Sequence, residues 1–90
     1  MKVYEVKGLT FVQTCICCPE QYDVMDSRNN LVGYVRLRFG NLSCSYPDVN
    51  GEYVYLESVG SDMTGIFVDE EQRMYYLDKI ADSILKKIGG

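Results

Sequence analysis

The segment 21–47 constrains this chain more than any other, because an apolar alternation of period two runs into a turn signal inside it. From 31 to 39 the odd positions read Leu31, Gly33, Val35, Leu37 and Phe39, and the even positions Val32, Tyr34, Arg36 and Arg38. Successive side chains on a strand point to opposite faces, so one face is predicted to meet a core while the other carries tyrosine and arginine. Gly40-Asn41 then offers the positive-φ residues of a tight hairpin, and 42–46 returns as the partner strand.

The same logic extends in both directions. Short strands are expected at 3–6 and 9–13, parted by Lys7-Gly8, and Pro19 ends pairing in the cysteine-rich stretch that follows. After a strand at 21–25, Asp26-Ser27-Arg28-Asn29-Asn30 has the polar make-up of a hairpin connection. Pro47-Asp48-Val49-Asn50-Gly51 marks another turn, with Asn-Gly its strongest signal, and 52–59 reads as the last strand. Residues 60–65 read as a polar loop and Ile66-Phe67-Val68 as a brief apolar anchor.

Beyond Asp69 the period changes to about 3.6. Tyr76, Leu77, Ile80, Ala81, Ile84, Leu85 and Ile88 recur at helical spacing, with Lys79, Asp82, Ser83, Lys86 and Lys87 on the other side. Asp69 is a natural N-cap with Gln72 three residues on; acids crowd the first turn and lysines the last. Gly89 stands where a positive-φ cap belongs. The expected fold is α+β: an antiparallel β-meander of about five strands within 2–59, with one helix at about 69–88 packed on the apolar face of the sheet. Ninety residues make a single domain, 1–90.

Thirteen acidic against nine basic residues, without histidine, give a net charge of −4. No overall positive field gathers a phosphate backbone, so direct nucleic-acid binding is not expected. The missing histidine excludes Ser-His and Cys-His nucleophile systems within one chain. No apolar run is long enough to span a bilayer, and MKVYEVKG lacks the apolar stretch of a secretion signal, so the expected location is the cytoplasm.

Four groups of residues bear on chemistry. Cys15, Cys17, Cys18 and Cys44 suffice in number for a zinc site. Their C-x-C-C spacing throws neighbours to opposite sides of a strand, which favours packing over metal binding, and no cofactor is expected. The outward stripe Tyr34, Arg36, Arg38, lying beside Tyr53, Tyr55 and Glu57 if the last strand joins the sheet, admits three uses. These are cross-strand packing, a protein-binding surface, and base stacking, the last opposed by the acidic charge. Asp62, Asp69, Glu70, Glu71, Asp78 and Asp82 crowd the last third of the chain and suit docking on a basic groove, although a helix N-terminus favours acids by itself. Carboxylate pairs such as Asp23 with Asp26, or Asp69 with Glu70, come without a phosphate loop, nucleophile or metal motif, so no enzyme is expected. Gly89-Gly90 reads as a helix stop rather than a modifier tail.

The segments Cys18-Pro19-Glu20-Gln21-Tyr22-Asp23-Val24, Val32-Gly33-Tyr34-Val35-Arg36-Leu37-Arg38-Phe39-Gly40 and Gly65-Ile66-Phe67 resemble a group of small proteins encoded by bacteriophages and mobile elements. The similarity covers about two thirds of the chain by its motifs. The resemblance implies a stoichiometric inhibitor of a host or defence protein, of which anti-CRISPR inhibitors of Cas nucleases are the best-known type; it assigns no catalytic residue. The expectation is therefore a protein-binding inhibitor in the host cytoplasm. Its partner-binding residues are Tyr34, Arg36, Arg38, Tyr53, Tyr55, Asp69, Glu70 and Glu71. The alternatives are a subunit that homodimerises through a sheet edge or the tyrosine face and, third, a cysteine-bound zinc module.

Overall fold

A computed structural model of the chain describes residues 2–14, 20–59, 67 and 69–89. The sequence expectations placed on Cys15, Cys17, Cys18, Pro19, Asp62, Gly65, Ile66, Val68 and Gly90 lie outside them. Six strands form one antiparallel sheet in chain order: β1 (Val3–Val6), β2 (Leu9–Gln13), β3 (Glu20–Met25), β4 (Leu31–Arg38), β5 (Asn41–Tyr46) and β6 (Glu52–Ser58). The meander is as expected, with six strands where about five were anticipated. The helix α1 (Glu70–Gly89) follows them all.

Turn chemistry explains the connections. Lys7 and Gly8 both take positive φ between β1 and β2, as a two-residue hairpin with the twist of its strands requires. Asp26 Oδ1 accepts the amides of Arg28 and Asn30 at 2.8 and 2.9 Å, folding the β3–β4 loop around one carboxylate. Asp48 plays the same part before β6, accepting the Asn50 amide at 2.9 Å.

The central hairpin departs from expectation by one residue. Its turn is Phe39-Gly40, with φ of 53° and 75°, and Asn41 already belongs to β5, opposite Arg38. Phe39 is thus not the last inward residue of β4; it sits in the left-handed region, 56% exposed, with the Arg38 guanidinium 5.1 Å from its ring centre. A bulky residue there is an outlier, and its strain is of the order of 1–2 kcal/mol.

Pairing partners share a face, so the register sorts the side chains. Phe11, Tyr22, Val24, Val35, Leu37, Leu42 and Cys44 lie on one side and are buried; Thr10, Asp23, Tyr34, Arg36 and Ser43 lie on the other. A bulge at Val24/Met25 turns Val32 into the core and leaves Leu31 outside. Over the buried side lies α1, presenting Leu77, Ile80, Ala81 and Ile84. Gly33 makes room for it: a Cβ there would stand 2.8 Å from Ile84 Cδ1.

Of the strands, the two at the edges, β1 and β6, come closest to the α1 backbone, so the sheet curls around the helix. Tyr4 and Lys7 of the β1 hairpin meet Glu70 and then Asp78 and Asp82, whereas Glu52 of β6 bonds to Lys87. The helix therefore runs parallel to β1 and antiparallel to β6. Asp69 caps it as expected, accepting the Gln72 amide at 2.8 Å. The other end differs. Gly89 remains helical and, among the described glycines, positive φ is confined to Gly8 and Gly40. No helix of the described residues is long and apolar enough to cross a membrane.

Candidate functional site

The β3 alternation carries a carboxylate in phase with its apolar residues: Glu20, Tyr22 and Val24 all point inward. Glu20 is 2% exposed, and such a group must be paired to remain charged. Both of its oxygens are occupied. Oε1 takes the Tyr22 hydroxyl and the Arg73 Nε at 3.0 Å, while Oε2 takes the Phe67 amide at 3.0 Å and the Arg73 Nη2 at 2.7 Å. Burial alone would raise the Glu20 carboxyl, but the bonds from Arg73, Tyr22 and Phe67 outweigh it and hold it below the usual carboxylate range. Tyr22 is pushed up by burial and by Glu20, and Arg73 by its bond to Glu20. The rings of Tyr4 and Phe67 each lie 5.8 Å from the Arg73 guanidinium, whose remaining side bonds to Glu70. This closed cluster fastens the start of α1 to the sheet, and no buried side-chain nitrogen or oxygen of the described residues is left unbonded. Reading β3 from Gln21 hides Glu20, although its inward phase was there to be seen.

The expected partner-binding residues fall into three places. Tyr34, Arg36 and Arg38 share the open face of the sheet, away from α1. β5 separates them from β6, and a bulge at Cys44/Ser45 splits the β6 tyrosines. Tyr53 stands opposite Ser45 on the open face, 62% exposed, whereas Tyr55 stands opposite Cys44 and packs against the core. Tyr55 and Glu57 bond to each other on the helix side, so neither lies beside the arginines.

The acids at the helix start are largely engaged by the fold: Asp69 caps, and Glu70 takes Arg73 and, at 3.3 Å, the Tyr4 hydroxyl. Glu71 is exposed and forms no ion pair among the described residues. Further along, Asp78 and Asp82 hold Lys7 at 3.5 and 2.6 Å.

Cys44 is buried, and burial pushes its thiol up to about 12. Among the described residues no group of three metal-ligating side chains comes together. A thiol so held should react about a thousandfold more slowly with iodoacetamide at pH 8 than in the unfolded chain, where a cysteine titrates near 8.5. Peptide mapping by mass spectrometry should find Cys44 unlabelled in the native protein and labelled in urea. Equal labelling in both would show that the site opens readily.

No protein family, curated protein or solved structure matches this chain.

Proposed function

We propose that this protein is a non-catalytic inhibitor that binds a protein partner and occupies a surface the partner needs. The partner, on this reading, is a nucleic-acid-directed defence enzyme of the kind anti-CRISPR proteins block. The observation that carries the reading is exposure. Phe39, Tyr53 and Leu56 are 56, 62 and 65% exposed on or beside the side of the sheet that carries Arg36 and Arg38. Tyrosine and arginine anchors of this kind concentrate binding energy at protein interfaces. The most deeply buried charge of the described residues, Glu20, has both oxygens committed to internal bonds, which favours a structural over a catalytic role for it.

The purified protein is expected to co-elute at fixed stoichiometry with such a nuclease and to suppress its cleavage. Charge reversal of exposed residues should break the complex while the circular dichroism spectrum stays unchanged. A protein that turns over a small molecule, or that leaves every tested nuclease free and active, would end the reading. Homodimerisation through β6 is the second reading, favoured by that strand's position at the sheet edge. Light scattering on the isolated protein separates the two.

A further inference from the structure

The open face of the sheet has relief. β5 contributes small side chains there, with Ser43 opposite Arg36 and half-buried, and Ser45 opposite Tyr34 and buried. β4 raises Tyr34, Arg36 and Arg38 on one side, and β6 raises Tyr53 and Leu56 on the other. With strands about 4.8 Å apart, the two walls stand about 10 Å from each other, enough for one extended chain.

The walls differ in chemistry. Arg36 makes no ion pair among the described residues, and Arg38 lies over the Phe39 ring without a carboxylate partner. In register the arginines face Gln21, Ser43 and Asn41, and the outward acid of β3, Asp23, pairs with Tyr34 and bridges neither. A protein of net charge −4 thus keeps two guanidinium groups side by side without a carboxylate partner among the described residues; across β5, Arg36 faces Leu56 and Arg38 faces Ser58.

Resting on the binding role proposed above, we infer that this trough is the docking site and that its occupant is an extended, acidic segment of the partner protein. Alternate residues of an extended chain are about 6.8 Å apart, which is also the spacing of Arg36 and Arg38 along β4. Carboxylates at alternate positions therefore meet both arginines, and the intervening apolar residues turn toward β6, where Leu56 lies across Ser43 from Arg36 and Tyr53 lies one step further, across Ser45 from Tyr34. Guanidinium groups pair carboxylates in a bidentate geometry, which fixes register as well as affinity. A nucleic-acid strand fits less well. Its uniform phosphates need several cations to release counterions, and here two stand on an otherwise acidic molecule.

The test is fluorescence anisotropy with three labelled probes: a short peptide alternating aspartate and leucine, its lysine-leucine counterpart, and an oligothymidylate of similar length. The acidic peptide is expected to bind, more weakly as salt rises, and the other two to bind at least about tenfold less well. Arg36→Glu with Arg38→Glu should weaken the acidic peptide about a hundredfold or more. Ser43→Trp, which fills the floor without touching the core, should weaken it about tenfold. Phe39→Asn is expected to keep the fold, since asparagine tolerates positive φ, while losing a few-fold in binding. Failure of the acidic peptide to bind, tighter binding of the oligothymidylate, self-association through this face, or binding that survives the double arginine reversal would each overturn the trough. A nuclease complex that persists in the double-reversal variant would sink the trough alone and leave the inhibitor reading standing. Peptide binding without any nuclease complex would do the opposite.

Discussion

Replacing Arg73 with alanine is expected to cost about 3–5 kcal/mol of folding stability near neutral pH, the scale of losing one partner from a buried ion pair. Glu20, 2% exposed in the intact protein, would keep only the Tyr22 hydroxyl and the Phe67 amide as donors, too little to compensate a desolvated charge. The pH dependence carries a sign. In the wild type the folded Glu20 carboxyl lies below its unfolded value, so its contribution is complete above about 4.3 and fades as pH falls through the lower folded value. Without Arg73, burial dominates and raises that carboxyl, so the variant should recover part of its deficit as pH drops from neutral toward about 5. Urea denaturation at both pH values measures this. Glu20→Leu combined with Arg73→Met should recover only part of the loss, because the apolar pair removes the stranded charge but leaves the Tyr22 hydroxyl and the Phe67 amide without their acceptor. An Arg73→Ala protein within about 1 kcal/mol of wild type at neutral pH would show the pair to be no more than a surface bridge.

The second large effect concerns the contact between helix and sheet. Ile84→Ala should destabilise the fold by about 2–5 kcal/mol, since it empties the space above Gly33 at the centre of the core. The pair also predicts coupling. Gly33→Ala alone places a methyl group 2.8 Å from Ile84 Cδ1 and should be destabilising, whereas after Ile84→Val the δ carbon is gone and the new methyl fits. A double-mutant cycle in urea should therefore give a favourable interaction of about 1 kcal/mol. Additive effects would mean that Ile84 simply swings aside at no cost.

How much of this could be read from the residues divides along physical lines. The faces of the strands and the helix period were legible, because burial imposes period two or 3.6 on apolar residues wherever one side meets a core. Register was less so. Moving the central turn from Gly40-Asn41 to Phe39-Gly40 slides β5 along β4 by two residues, and a slip of two returns every side chain to its own face. Hydrophobic pattern cannot choose between such registers, and the preference of glycine and asparagine for positive φ pointed to the wrong one. The bulge at Cys44/Ser45 was equally hidden, and it decides that Tyr53 rather than Tyr55 shares the arginine face. The Glu20–Arg73 pair joins residues 53 positions apart, a distance no local motif spans. The trough needed both the register and the bulge before its two walls could be set opposite each other.

Each strand pairs with its chain neighbour, so the sheet can assemble by successive local closures as the polypeptide leaves the ribosome. Its greasy side has no such neighbour, for the covering helix is translated after all six strands. Every newly made molecule thus passes through an interval, on the order of seconds at ordinary elongation speeds, in which a nearly finished sheet bares its interior to the crowded surroundings. Quality-control chaperones would meet the protein then, before the Glu20 clasp could form.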